Sequence, residues 1–389
     1  MFSLLYIILS ICTLIIVPHV RRKYVLVTLL ISALAFGIVA LFMTPNEGVF
    51  IDSIRFFGEL DQLRSVRYFS GIIDSWRYCL DKINYSGVPI AGLYILMISL
   101  IKSNAFLLGI TAFIQIIFAF IWIKKIADDS ENFNRSIFWG LFFFLAWFNF
   151  MASVSGVRNM TAFIIFGYLT YISFQEDKFR IINWIMSFSL CFFHSSILIF
   201  FVIRVFCYII WSKKLNYIFN LVLFLNRFIQ QSVLVFLSYF SNFPFIDQIL
   251  FKSEQYLGAN AYIGATSDFS QIRNLVKLLT VVILFMLYRK YSNRKFSIKY
   301  DNFFISTVCF SIGSFFDYIL FGRTVNLIVF LTIPYFMTIF CQKKYTINSD
   351  WKKIIFFCAF LFIFGVTVFI TVDNARAALR FVHLSLSNF

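Results

Sequence analysis

Apolar positions in this chain do not form the one-face stripe of a surface helix. They run continuously for the length of a membrane crossing, with polar residues confined to the breaks. Twelve crossings are predicted, at about 2–18, 25–43, 104–123, 137–153, 158–174, 182–193, 195–211, 219–240, 273–289, 302–319, 324–341 and 354–372. The sixth and seventh, around His194, are short or continuous with each other. Ile90–Ile101 is too short to span and is expected in the interface or as a re-entrant segment. Met1–Val17 lacks a basic leader and a small-residue cleavage site, so it reads as a retained span rather than a signal peptide. The expected fold is an all-α integral membrane protein. It is a polytopic bundle of about 12 transmembrane helices, one membrane domain over 1–389, and a GT-C-like arrangement is open to it. No internal repeat marks the inverted halves of many transporters.

Lys and Arg in the short breaks orient the bundle. Six alternate breaks carry them: Arg21–Lys23, Lys124 to Arg135, Lys178 with Arg180, Lys213 with Lys214, Arg289 to Lys299, and Lys343 to Lys353. Threading twelve spans puts all six on one side, the cytoplasmic one, with both termini outward. Two long segments then face outward, 44–103 and 241–272. The first mixes Phe56, Phe57, Tyr68, Phe69, Trp76 and Tyr78 with charges, as amphipathic outer-face helices on a membrane surface would.

Composition removes the soluble alternatives. The 389 residues are 61% hydrophobic and only 13% charged, with 56 Phe, too little polar surface to clothe a water-soluble globule. The net charge of +16 is therefore a topology signal and not the mark of a nucleic-acid partner; the expected surroundings are membrane lipids. The seven Cys give no disulfide framework, and no metal-ligand spacing, phosphate-binding Gly-rich loop or nucleotide-binding domain is present, so neither cofactor nor metal is expected.

The cations are not distributed alike. The cytoplasmic breaks hold mostly Lys, whereas those outward or within the spans are mostly Arg: Arg55, Arg64, Arg67, Arg77, Arg158, Arg204, Arg227, Arg273, Arg323, Arg376 and Arg380. Arg offers a planar donor fork that grips phosphate or carboxylate bidentately. Taken singly, each also fits a salt bridge or a lipid headgroup contact, with Glu47, Glu59, Asp61, Glu254, Asp317 and Asp373 among the outward carboxylates. Arg158 and Arg323 stand out because each opens a strongly apolar span, where an idle charge is expensive. His194, in Phe-Phe-His-Ser-Ser at another outward turn, suits proton transfer near neutral pH or a plain hydrogen bond to Ser195 or Ser196. Glu59-Leu60-Asp61 is a weak acidic pair on the outer segment.

Ser155-Gly156-Val157-Arg158-Asn159, the polar Gln175–Arg180, and Phe193-His194-Ser195-Ser196 together resemble the EpsG-like membrane proteins, which overlap with Wzy-type O-antigen and capsule polymerases. Phe321-Gly322-Arg323 leading to Ile333-Pro334-Tyr335 fits the later motif, an Arg leading a span that ends near Pro; Asp61, Tyr68 and Tyr256-Leu257-Gly258 fit loosely. Asn159 follows Arg158 where Gln is commoner in that pattern. The resemblance implies a nucleotide-independent glycosyltransferase of the bacterial cytoplasmic (inner) membrane. It would join oligosaccharide units carried on undecaprenyl pyrophosphate at the outer face, with a flippase and a chain-length regulator as pathway partners. Arg158 and Arg323, with Arg273 as a third, would hold pyrophosphate; Arg64 and Arg67 would meet the incoming unit. His194 or Asp61 would serve the accepting hydroxyl. A lipid-linked oligosaccharide flippase needs similar residues, and Arg204 and Arg227, placed deeper by the span reading, keep it open.

Overall fold

The computed structural model describes residues 2–43, 51–175, 180–210, 212–247, 250–251, 268–292, 295–342 and 357–374. Tyr256-Leu257-Gly258, Arg376, Arg380, Glu47, Glu254 and the loop cations Lys178, Arg294, Lys343, Lys344, Lys352 and Lys353 lie outside them, as do 44–50 and 252–267 of the two outward segments. Every regular element among the described residues is helical. In chain order the helices are α1 (Phe2–Ile16), α2 (Val25–Leu41), α3 (Ile51–Asp81), α4 (Pro89–Ser99), α5 (Ala105–Asp128) and α6 (Phe133–Trp147). There follow α7 (Phe150–Ser155), α8 (Val157–Gln175), α9 (Ile181–Ser189), α10 (Ile197–Ile209), α11 (Lys213–Phe224) and α12 (Asn226–Ser238). The last are α13 (Asp268–Tyr291), α14 (Ile298–Gly313), α15 (Tyr318–Cys341) and α16 (Phe357–Asn374).

The chain is a multi-pass helical membrane protein, and the described helices support fewer crossings than the twelve expected. Five described helices are long and apolar enough to cross alone, and a sixth crossing arises only if α11 and α12 act as one bent span. Apolar runs continue where the backbone breaks, and hydropathy cannot see the break. The run 137–153 stops as a helix at Trp147, where Phe148 turns extended, leaving 15 residues. At 1.5 Å per residue that is about 22 Å, short of a bilayer core of about 30 Å. The run 219–240 bends by 73° at Leu225. The segments around His194 form a short hairpin of 9 and 13 residues. Ile90–Ile101 is a short helix, as its length predicted.

α15 is the axis of the bundle, with 89% of its crossing buried, and it packs on α6, α8, α13 and α14. α16, 22% buried, lies at the periphery. Pro334 sits inside α15, which runs on to Cys341 instead of ending near the proline. Aromatic rings fill the interior: Tyr335 alone contacts the rings of Phe285, Tyr288, Phe296, Tyr300 and Phe304. The outward segment is not a straight rod. α3 reverses at Gly71 (φ 86°, ψ −179°), a conformation open to glycine alone, so Ser75 Oγ reaches back to donate to the carbonyl of Leu63. The tip exposes Tyr68, Phe69, Ile72 and Ile73, an apolar end.

Candidate functional site

Arg158 lies in the first turn of α8, the wrong end of a helix for a cation. It is held by rings from the outer segment. Its guanidinium carbon sits 5.4 Å from the Phe56 ring centre and 5.3 Å from that of Tyr85. Both rings are 2% exposed, so the sandwich is rigid. Tyr85 donates its hydroxyl to Glu59 Oε2 at 2.7 Å, and Arg55 Nε stands 3.5 Å from the other oxygen of that carboxylate. Ser53 donates to Ser155 Oγ at 3.1 Å, fastening the start of α3 to the turn before α8. Burial pushes the Glu59 carboxyl above its ordinary range, against the pull of the Tyr85 hydrogen bond, Arg55 and Arg158. Asn159 Oδ1 is buried with no hydrogen-bond partner.

The pair Glu59-Leu60-Asp61 does not converge. Two residues apart on a helix place side chains on opposite faces. Glu59 turns inward, 14% exposed, and Asp61 outward, 65% exposed. Asp61 pairs with Arg64 Nη1 at 2.9 Å and accepts from Asn104 Nδ2 at 3.2 Å. Arg64 also donates to the carbonyls of Ser99 and Ile101, and Arg67 donates to Ser99. Those oxygens are free helix-end acceptors of α4. Asp61, Arg64 and Arg67 therefore tie α3 to α4 and α5, away from the Arg158 sandwich. The carboxylate beside Arg158 is Glu59, which sequence reasoning noticed only as half of a weak pair.

His194 sits in the turn between α9 and α10, 7% exposed. The Ser196 backbone N–H points to its Nδ1 at 3.3 Å, and Ser196 Oγ lies 2.6 Å from the same atom. An N–H donor at Nδ1 makes that nitrogen an acceptor, placing the proton of the neutral ring on Nε2. His194 in that form is a hydrogen-bond donor at Nε2. The Phe163 ring of α8 lies 6.3 Å from the His194 ring. Phe163 is five residues beyond Arg158, about 7.5 Å along the helix. Tyr94 of α4 closes the other side, 5.8 Å from the Phe193 ring.

Ser195 and Ser196 also line a cavity of about 470 Å³ that has Arg323 on its far side. Its polar residues are Ser195 and Ser196 just before α10, Asn226 and Gln230 of α12, and Asp317 and Arg323 at the start of α15. Ile199, Val202 and Ile203 of α10, Phe219 and Leu223 of α11 and Leu237 of α12 supply its apolar wall. Asn226 fixes the bend by donating to the Phe310 carbonyl at 2.8 Å and to Ser314 Oγ at 3.1 Å. Asp317 caps α15 by accepting from the Leu320 N–H at 3.2 Å. Burial raises its carboxyl, opposed by that bond and by the charges of Arg227 and Arg323.

Arg227 follows the bend at Leu225, and its charge acts on Asp317. Arg204 is deep: it is fully buried, bonded to Ser173 and Ser187 and 4.3 Å over the Trp184 ring. Sealed in this way, it pins α8, α9 and α10 together. Arg273 Nη1 pairs with Asp373 of α16 at 2.9 Å.

Arg158 thus lies at the start of α8 against Phe56 and Tyr85, His194 stands beside the two serines that share a cavity with Arg323, and Asp61, Arg64 and Arg67 are engaged with the ends of α4 and α5. No curated protein and no protein of solved structure matches the chain. A family model does match, over residues 66–385, a range that contains Arg158, His194, Arg273 and Arg323 but begins after Glu59 and Asp61. By that match the chain belongs to the EpsG family, a family related to Wzy-like polysaccharide polymerases, and is a membrane protein of polysaccharide biosynthesis.

Proposed function

We propose that this protein is a glycosyltransferase that polymerises oligosaccharide units carried on a polyprenyl pyrophosphate such as undecaprenyl pyrophosphate, working at the outer face of the cytoplasmic membrane. The observation that carries the reading is the cavity between α10, α11, α12 and α15. It is lined by serine, Asp317 and Arg323, by Asn226 and Gln230, and otherwise by aliphatic and aromatic side chains. A long prenyl chain with an anionic head has the same division of polarity.

In the reaction, the acceptor hydroxyl forms a bond to the anomeric carbon as the bond from that carbon to the pyrophosphate oxygen breaks. The electron pair leaves with the lipid pyrophosphate, and the hydroxyl proton passes to a base. Arg158 and Arg323 stabilise the charge that gathers on the leaving group, and their fixed partners spare reorganisation as it does so. Glu59 is the base suited by position, since it is buried beside Arg158 and its carboxyl is raised toward the working range. His194, a donor at Nε2, orients the acceptor or the leaving oxygen. Asp61 is committed to Arg64 and is the weaker base. No step consumes a nucleotide.

A flippase for the same lipid-linked units is the second reading, and the sealed setting of Arg204 counts against it. Reconstituted protein supplied with polyprenyl-pyrophosphate-linked units and no nucleotide separates the two. Polymer and free lipid pyrophosphate are expected in equal bond count. Movement of intact units across the bilayer without lengthening would overturn the polymerase.

A further inference from the structure

Lys277 belongs to none of the sites above. It lies mid-way along α13, a helix that crosses the membrane, and is 6% exposed. Among the described residues no carboxylate, carbonyl or hydroxyl accepts a hydrogen bond from its ammonium. Four residues earlier on the same helix face stands Arg273, which uses one guanidinium nitrogen on Asp373. Its Nε is buried with no partner. The charges of Arg273 and Asp373 both act on Lys277.

Two cations therefore stand with one carboxylate inside an apolar bundle, and Arg273 Nε is left buried without a partner. A buried donor without an acceptor is costly, and a buried charge in excess costs more. Such an arrangement is complete only with a second anion. Asn274, next to Arg273, meets α15 where a Cβ on Gly322 would come within 2.9 Å of its Nδ2, one residue before Arg323. The unsatisfied donor thus stands on the helix that packs against the Arg323 end of the cavity.

We propose that Lys277 and Arg273 form an anion site at the outer half of α13 that takes a phosphate group carried on a lipid. Resting on the polymerase reading, that phosphate is part of the pyrophosphate of the lipid-linked substrate, and Lys277 is a substrate-binding residue beside Arg323. A phospholipid headgroup has the same chemistry and is the other source to be tested.

The test uses the full chain in neutral phosphatidylcholine nanodiscs, as wild type, Lys277→Met and Lys277→Arg. Farnesyl pyrophosphate and phosphatidylglycerol are titrated separately, and thermal unfolding is followed. Farnesyl pyrophosphate is expected to raise the wild-type Tm. Lys277→Met should need about tenfold more ligand for the same rise, as loss of a charged hydrogen bond implies, and Lys277→Arg should restore it. Without ligand, Lys277→Met should unfold no lower than the wild type, since it removes an uncompensated charge. A rise given by phosphatidylglycerol alone keeps the site and assigns it to bulk lipid. Equal ligand response in Lys277→Met, or a lower ligand-free Tm restored by no anion, overturns the site and makes Lys277 a structural counter-charge. Polymer formation is scored in the same preparations. Lys277-dependent binding without polymer removes the polymerase reading and leaves the site, whereas polymer without such binding removes the site alone.

Discussion

Arg158 owes its position to partners that enter from a distant part of the chain. Phe56 and Tyr85 clamp the guanidinium, Glu59 anchors Tyr85, and Arg55 steadies Glu59. Arg158→Ala is expected to lower polymerisation by about a hundredfold or more while the protein stays in the membrane. Arg158→Lys should fall between, because an ammonium keeps the charge and the ring contacts but loses the fork. Rates measured on reconstituted protein check both. Glu59 makes a separate claim on stability. Its folded carboxyl is raised above the ordinary glutamate value by burial, so its stabilising contribution is complete below that ordinary value and is lost as pH rises through the folded one. Wild-type Tm should thus fall across that window more steeply than the Tm of Glu59→Gln, which keeps an acceptor for Tyr85. Equal slopes would remove Glu59 as the titrating group. The residue-level picture was partly legible: Arg158, Arg323 and His194 drew attention as polar groups stranded at apolar ends. Glu59 was not separable from Asp61 until the helix set them on opposite faces.

Helices here are defined as much by where they break as by what they bury. Trp147, Leu225 and the turn at His194 interrupt runs that sequence counted as crossings, and the pieces they leave are shorter than a helix that would cross alone. The same breaks build the site. The hairpin turn presents His194 and Ser196, the bend at Leu225 folds α12 over the cavity, and the Asp317 cap starts α15 beside Arg323. α2, α5, α13 and α15 were legible because each is a single helix long and apolar enough to cross alone. In α3 the amphipathic outer helix was legible and its reversal was not, since a lone Gly in a polar stretch carries little pattern. Gly71→Ala should cost on the order of 1–3 kcal/mol, as a side chain is forced into glycine-only backbone. It would appear as a lower Tm and faster proteolysis between Ser70 and Ile73, and an unchanged Tm would mean that α3 relaxes into another turn.

At the scale of the whole molecule, the outer helices and the bundle form one working unit. α3 and Tyr85 hold Arg158, and α4 packs on the turn that carries His194. The proposed polarity places the tip of α3 outside the cell and the start of α11 inside. In spheroplasts, with Cys12 and Cys358 replaced, Tyr68→Cys should react with a membrane-impermeant thiol reagent and Lys213→Cys should not; the reverse pattern would invert the protein. The central claim is extension of lipid-linked units at the outer face, and deletion of the gene in its source bacterium with surface glycan resolved by size tests it most directly. The account predicts that the ladder collapses to a single repeat unit on its acceptor. It predicts too that the wild-type gene restores the ladder and the Arg158→Ala and Arg323→Ala genes do not. An unchanged ladder, or loss of all units from the surface with lipid-linked units held inside, would contradict it.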